Sequence, residues 1–384
     1  MKFGKLFLNE PYLGKEEKKY LNGVIDKNWL SINGEYTKKF ENKICSFLNR
    51  KYALAVQSGT ASIHASLKAL GVKENDNVIL PNYTCVSNLS AVKQLNANPI
   101  IVEVEKETLG LDFENVKKAI LKYKPKVLQI VHVYGFPARD TVKILSFCKK
   151  YKVKVLEDAS EALGAKLNKK RIGSFGDISI FSIRSEKMIG VGEGGVITTS
   201  KKKIFDKIKL ICSRHSPFRS KYDPYWKKYF CNGEGYNYLM PHLLGAVALA
   251  QFERFEKFIL KKKIYIGETY FKNFNNKDMK STQLKLNNSE PAYWLNSIYF
   301  LKLNAKKVQK IGNQLMKKGI EVRSGFWPMN ELYYFKSKTV DIGNKKISKN
   351  IFNKSLVLPS SVFLNEEKIK YIKAQIQNIL KKIK

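Results

Sequence analysis

Lys187 stands five residues after Ser182 and five before the turn Gly192-Glu193-Gly194-Gly195. Upstream, the apolar run Val153-Lys154-Val155-Leu156 ends in Glu157-Asp158, with Glu161 three residues further on. In a chain with 70 Lys+Arg, one lysine carries no message. A lysine preceded by an acid at a strand end is different, because it pairs an amine nucleophile and proton carrier with a carboxylate. Pyridoxal phosphate chemistry requires such a pair: Lys187 to anchor the cofactor and act as base, Asp158 to keep the ring nitrogen protonated. It also requires phosphate donors and a group near the ring hydroxyl. Gly59 and Thr60 open a helix after a strand, where backbone N–H groups are free to hold a phosphate. Ser182 offers another hydroxyl. Glu161, one helical turn beyond Asp158, can face the ring hydroxyl. Each residue also has a plainer reading: Asp158 as cap of a helix from Ala159, Gly59-Thr60 as a tight turn, Ser182 as a locally bonded strand end. Glu161 and Glu186 read equally as surface carboxylates.

These residues need a scaffold, and the hydrophobic pattern supplies one. Strands are predicted at 52–56, 77–81, 99–104, 127–131, 153–156, 178–182 and 195–199. Helical periodicity falls between them, at 36–48, 61–70, 86–95, 113–121 and 142–150. Such alternation predicts an α/β domain with a mostly parallel sheet, and ligands in such sheets sit at the carboxyl ends of strands. Residues 1–245 form the expected N-terminal segment and large domain. Leu244, Val247, Leu249, Phe252, Phe255 and Phe258 mark a long bridging helix to about Phe271. Strands at 294–303 and 320–323 and helices at 308–318 and 366–380 then predict a small α+β domain over 246–384.

The chain has 384 residues, 44% of them hydrophobic, enough for more than one domain. Its formal charge of +37 raises nucleic acid as a partner. The lysines are scattered, however, and no zinc-finger, helix-turn-helix or RRM pattern accompanies them. Solvated basic faces, or a field that attracts an anionic small molecule, fit better. Cys45, Cys85, Cys148, Cys212 and Cys231 show no CxxC spacing, so neither a disulfide framework nor a metal site is expected. The absence of a long apolar run predicts a cytoplasmic protein with no membrane insertion.

Taken in order, these motifs make the chain resemble the DegT/DnrJ/EryC1/StrS sugar aminotransferases. The resemblance runs from Trp29-Leu30-Ser31 and Gly34 through Ser58-Gly59-Thr60-Ala61, Val133-Tyr134-Gly135 and Glu157-Asp158-Ala159-Ser160-Glu161. It continues in Gly173-Ser174-Phe175-Gly176-Asp177, Lys187, Gly235-Tyr236-Asn237-Tyr238 and Tyr293-Trp294-Leu295-Asn296-Ser297. It implies an aspartate-aminotransferase-like (fold type I) architecture and a pyridoxal phosphate cofactor with pyridoxamine phosphate as its intermediate form. L-glutamate as amino donor and a nucleotide-linked 4-keto-6-deoxy sugar as acceptor are implied as well. It gives Lys187, Asp158, Glu161, Gly59, Thr60 and Ser182 the cofactor roles described above. It also makes Asn237 reach the phosphate of a neighbouring subunit, hence a homodimer with shared active sites.

Several words depart from the family pattern. Cys85, in Pro81-Asn82-Tyr83-Thr84-Cys85, takes the place of an aromatic stacked on the cofactor ring, and Tyr83 is a candidate to compensate. Arg184-Ser185-Glu186 replaces an aromatic-glycine-asparagine word, so Arg184 either binds an anionic substrate group or pairs with Glu186. Tyr238-Leu239-Met240 lacks the usual arginine. Trp327-Pro328-Met329-Asn330 replaces a Pro-x-His word, while Arg323 is retained. Trp29, Ser31, Tyr83, Arg184, Arg323, Trp327 and Asn330 are therefore the candidate substrate residues. The departures keep a UDP-linked sugar or a non-sugar carbonyl compound open as the acceptor. A basic binding protein on the same fold is the remote alternative.

Overall fold

Among the described residues, eight strands form the main sheet: β1 (Tyr52–Val56), β2 (Asn77–Pro81), β3 (Asn98–Val102), β4 (Val127–Val131), β5 (Lys154–Asp158), β6 (Ile178–Ser182), β7 (Gly195–Thr199) and β8 (Val340–Ile342). The computed structural model describes residues 3–217, 224–227, 229–335 and 339–383. The strand order is β1-β7-β6-β5-β4-β2-β3-β8. Neighbours from β6 through β8 pair in parallel, and β7 alone runs against β6 and β1. Every residue of β4 is buried, as a strand covered by helices on both faces requires. This is the α/β sheet that the hydrophobic pattern predicts, in the fold type I aminotransferase arrangement that the family resemblance implies.

The parallel topology brings the carboxyl ends of β1 to β6 and β8 to one side. Val56, Pro81, Val131, Asp158 and Ser182 close β1, β2, β4, β5 and β6 there. The turn into β7 returns to the same place, because Gly195 pairs with both Val56 and Ser182. A Cβ on Gly195 would lie 2.4 Å from Ser62 Oγ and 2.5 Å from the Ser58 carbonyl oxygen, so only glycine fits. After β1 the helix Gly59–Ala69 begins, with the Ser58 hydroxyl accepting the Ala61 N–H at 3.1 Å as N-cap.

The second layer departs from the predicted boundaries in instructive ways. The predicted bridging helix is two α-helices, His242–Glu253 and Lys261–Phe274, joined by a π-helical turn at Phe255–Leu260. A four-stranded antiparallel sheet follows, built from Met279–Ser281, Asn296–Phe300, Ser355–Leu358 and Arg323–Ser324. The strand predicted at 294–303 is thus shortened to its centre, and the one at 320–323 begins at Arg323. Among the links that cross the boundary drawn at residue 245, two involve the ends of the chain's layers. β8 joins the main sheet beside β3, and Leu6 from the N-terminal segment sits in the core under the C-terminal helix Glu366–Ile383. No helix among the described residues is long and apolar enough to cross a membrane.

Candidate active site

Lys187 lies in the loop between β6 and β7. Three backbone hydrogen bonds hold that loop closed: Ile183 N–H to Gly194 O (2.9 Å), Ser185 N–H to Gly192 O (2.9 Å) and Val191 N–H to Ile183 O (3.0 Å). The glycine-rich turn therefore folds back along the residues before the lysine. Asn9 Nδ2 and Trp294 Nε1 both donate to the carbonyl of Glu186, each at 2.6 Å, and so fix the backbone immediately before Lys187. The lysine Nζ is 3.3 Å from Glu161 Oε1 and 3.6 Å from the centre of the Trp294 ring. Both contacts fix the position of the amine in a partly buried site.

Asp158 is 3% exposed at the end of β5. One carboxylate oxygen accepts from Asn88 Nδ2 at 2.9 Å, the other from the Ser160 N–H at 2.9 Å. No helix starts at Ala159. The segment turns instead, with Ala162 N–H bonded to Ala159 O at 2.9 Å. The helix-cap reading of Asp158 is thereby set aside, and so is the helical turn that was to place Glu161. Glu161 nevertheless reaches the cavity, where its Oε2 accepts the Tyr134 N–H at 2.8 Å. Burial pushes its carboxyl up from the usual range, and the Lys187 ammonium pulls against that shift.

These groups share one cavity of about 310 Å³. Gly59, Thr60, Ser182, Cys85 and Asn88 line it with Asp158, Glu161 and Lys187. A Cβ on Gly59 would sit 2.9 Å from Ser182 Cβ, so the bare glycine lets the helix start press against the end of β6. Thr60 Oγ1 donates to Ser87 Oγ at 3.0 Å, and Cys85 Sγ lies 3.4 Å from the same hydroxyl. The cavity thus holds an amine, an anchored carboxylate and a row of hydroxyl and backbone donors. That set fits pyridoxal phosphate: a carbonyl-reactive lysine, a partner for the ring nitrogen and a phosphate cradle.

The substrate-side candidates divide. Arg184 and Arg323 line the cavity, and both are engaged by carboxylates. Arg184 Nε meets Glu193 at 3.0 Å and its Nη1 meets Glu186 at 3.5 Å; Arg323 Nη1 meets Glu186 at 3.0 Å. Tyr83 is not on the wall. It is fully buried, its hydroxyl 3.2 Å from that of Tyr134 and its ring edge-on to Phe326, so it cannot stack in place of the missing aromatic. Trp327 is half-exposed against Phe352, and Asn330 is buried with its N–H on Asn82 Oδ1; neither lines the cavity. Trp29, Ser31 and Asn237 gather in an adjoining cleft of about 780 Å³ that shares only the Ser58 and Glu193 walls with the lysine cavity. Within one chain Asn237 does not join Lys187.

Sequence reading passed over Asn88, Ser87 and Trp294 as site residues. Asn88 and Ser87 carry no motif and gain meaning only when the Ser87–Gln94 helix is set beside β5. Trp294 had a signal, since it lies in one of the words that carry the family resemblance.

Amine, carboxylate and donor cradle on this sheet define the class as a pyridoxal phosphate enzyme of fold type I. The chain belongs to the DegT/DnrJ/EryC1/StrS aminotransferase family, whose pattern it matches over residues 11–377. It is 33% identical over 363 residues to the GDP-perosamine synthase of Escherichia coli O157:H7, covering 94% of this chain and 95% of that one. It is also 33% identical to the Vibrio cholerae GDP-perosamine synthase, over 96% of this chain and 97% of that one. Among solved structures, Helicobacter pylori PseC, an aminotransferase of pseudaminic acid biosynthesis, shares the fold with a TM-score of 0.89. It is 21% identical over 98% of this chain and all of that one.

Proposed function

We propose that this chain transfers an amino group from L-glutamate to the keto carbon of a nucleotide-linked 4-keto-6-deoxy sugar, as a GDP-perosamine synthase-like enzyme. The observation that carries the reading is the Lys187–Glu161–Asp158 constellation at the strand ends, beside the Gly59–Ser182 cradle. Likeness to two GDP-perosamine synthases over nearly the full chain supports the choice of acceptor. Lys187 would hold the cofactor, Asp158 its ring nitrogen, and Gly59, Thr60 and Ser182 its phosphate. Bound there, pyridoxal phosphate supplies a ring that accepts electrons from a substrate carbon as that carbon loses its proton.

The protein's own residues do the remaining work. Lys187 Nζ takes the proton from the donor's α-carbon and returns one to the sugar carbon in the second half of the cycle. Glu161 holds that amine at 3.3 Å while the Trp294 face confines it from the other side. Asn88 and the Ser160 N–H keep Asp158 from turning away from the ring position. Cys85 offers a smaller and softer surface than a stacked aromatic. Asn237, in its separate cleft, serves the site of a second copy, which makes the active unit a homodimer.

A panel of GDP- and UDP-linked 4-keto-6-deoxy sugars, with glutamate as donor, tests the reading. Amination of the GDP-linked sugar with the greatest kcat/KM is expected. Turnover confined to UDP-linked sugars or to non-sugar carbonyl compounds would move the chain to another branch of the family.

A further inference from the structure

Glu186 precedes the lysine and reads in sequence as a solvated neighbour. The structure gives it two cationic partners. Its Oε2 lies 3.0 Å from Arg323 Nη1 and its Oε1 3.5 Å from Arg184 Nη1, with its side chain 23% exposed. Arg323 reaches this point from the other sheet, at the start of the Arg323–Ser324 strand. Its second nitrogen meets Glu321 at 3.5 Å. All three of Glu186, Arg184 and Arg323 line the cavity that holds Lys187.

The geometry of the pair matters. A guanidinium presents five N–H donors in a fork that matches the two oxygens of one carboxylate. Here Glu186 touches Arg323 through a single nitrogen and divides its other oxygen toward Arg184. Arg323 is thus shared between two carboxylates, Glu186 at Nη1 and Glu321 at Nη2, and neither fills its fork alone. Arg184 has an alternative partner in Glu193 at 3.0 Å, so it is not left unpaired if Glu186 moves. The Glu186 backbone is fixed by Asn9 and Trp294, so only its side chain needs to turn. A partly exposed ion pair of this kind is weak and readily exchanged.

We propose that Glu186 is a stand-in carboxylate. It occupies Arg323 in the resting site, and a carboxylate of the amino-acid donor displaces it, so that Glu186 sets donor affinity and selectivity. The inference rests on the aminotransferase reading above, which supplies the amino-acid donor. It makes Glu186 a specificity-determining residue with no part in the proton transfer. It also gives a physical role to the departure at Arg184-Ser185-Glu186: a negative charge beside the lysine screens Arg323 from weakly matched anions. A donor carboxylate that engages the guanidinium through both of its oxygens overcomes that screen.

The test is calorimetric titration of the protein, loaded with its cofactor, with 2-oxoglutarate and with glutarate, which lacks the keto group. Wild type is compared with Glu186→Gln, Arg323→Gln and the double variant. Glu186→Gln is expected to tighten binding of both compounds about tenfold, Arg323→Gln to weaken it by a similar factor, and the double variant to match Arg323→Gln. In steady state, Glu186→Gln lowers the KM for glutamate and leaves the KM for the keto acceptor unchanged. Unaltered or weakened dicarboxylate binding in Glu186→Gln, with wild type still binding, overturns the proposal and leaves the aminotransferase reading intact. Failure of every form to bind a dicarboxylate, with an active monocarboxylic donor found instead, overturns the glutamate reading and this proposal together.

Discussion

At the residue scale, the two adjacent acids at the end of β5 have opposite tasks. Asp158 faces the cavity, while Glu157 faces inward and is completely buried. Glu157 accepts from the N–H groups of Gly173 (2.7 Å), Phe175 (2.7 Å) and Gly176 (3.0 Å) and from Ser179 Oγ (2.7 Å), with His132 Nε2 3.3 Å away. Desolvation opposes its charge, yet His132 and these donors win and bring the carboxyl down from 4.5 to about 2. A folded-state value below the unfolded one stabilises the fold fully above pH 4.5, and the gain is lost as pH falls from there toward 2. Shifts of this size correspond to about 3 kcal/mol. Urea denaturation of Glu157→Gln should therefore show a loss of about 3 kcal/mol at pH 7 that shrinks toward zero on acidification. A pH-independent loss would mean that the charge is not what stabilises the Gly173–Gly176 turn. The same turn explains why the Gly173-Ser174-Phe175-Gly176-Asp177 word accompanies Glu157-Asp158: it folds around one carboxylate and leaves the other for the cavity.

At the scale of elements, the lysine loop is gripped from both ends of the chain. Lys263, on the helix Lys261–Phe274, is fully buried, and its Nζ donates to Asn9 Oδ1 (2.8 Å), Trp294 O (2.9 Å) and Ser360 O (2.6 Å). Burial brings its ammonium down to about 7. Its three acceptors match the three N–H groups of the charged form. Asn9 and Trp294 are the two residues that hold the Glu186 carbonyl, so one buried lysine ties the helix, the N-terminal segment and the second sheet to the catalytic loop. Lys263→Met leaves three acceptors unpaired and is expected to cost about 3 kcal/mol in chemical denaturation. It should also weaken cofactor retention, readable as faster loss of the bound cofactor on dialysis. Little of this was legible in the sequence. The strand ends carrying Asp158 and Ser182, and the turn from β1 to Gly59, were, because apolar runs that stop at small or acidic residues mark the carboxyl edge of a parallel sheet. Lys263 was hidden in the Lys261-Lys262-Lys263 run, which reads as solvated charge until the helix phase buries one of the three. β8 was equally hidden: three residues from far along the chain complete the sheet edge only through tertiary pairing with β3. Tyr83 was misplaced for a related reason, since the alternation that buries it depends on where the second sheet packs.

At the scale of the whole molecule, the lysine cavity and the Asn237 cleft are neighbours within one chain but separate. The proposed homodimer joins the cleft of one copy to the cavity of the other. A shared site has a consequence that a self-contained one lacks. Lys187→Ala and Asn237→Ala chains, each impaired alone, should recover activity when unfolded together and refolded as a mixture. Random pairing places half the protein in mixed dimers with one intact site of two, so about a quarter of wild-type activity is expected. No recovery beyond the sum of the separate variants would place Asn237 outside the partner's site. The charge of +37 belongs to this scale as well. A positive field speeds the encounter with an anionic nucleotide sugar, and that advantage falls as salt screens it. Raising ionic strength should lower kcat/KM for the sugar more than it lowers kcat.

The central claim is that Lys187, one basic residue among 70, is the cofactor's anchor. Borohydride reduction of the protein loaded with pyridoxal phosphate, followed by peptide mass mapping, tests it directly. A single phosphopyridoxyl label on the peptide containing Lys187, lost in Lys187→Ala, is the expected result. A stoichiometric label on any other lysine, or an unchanged label in that variant, would contradict it.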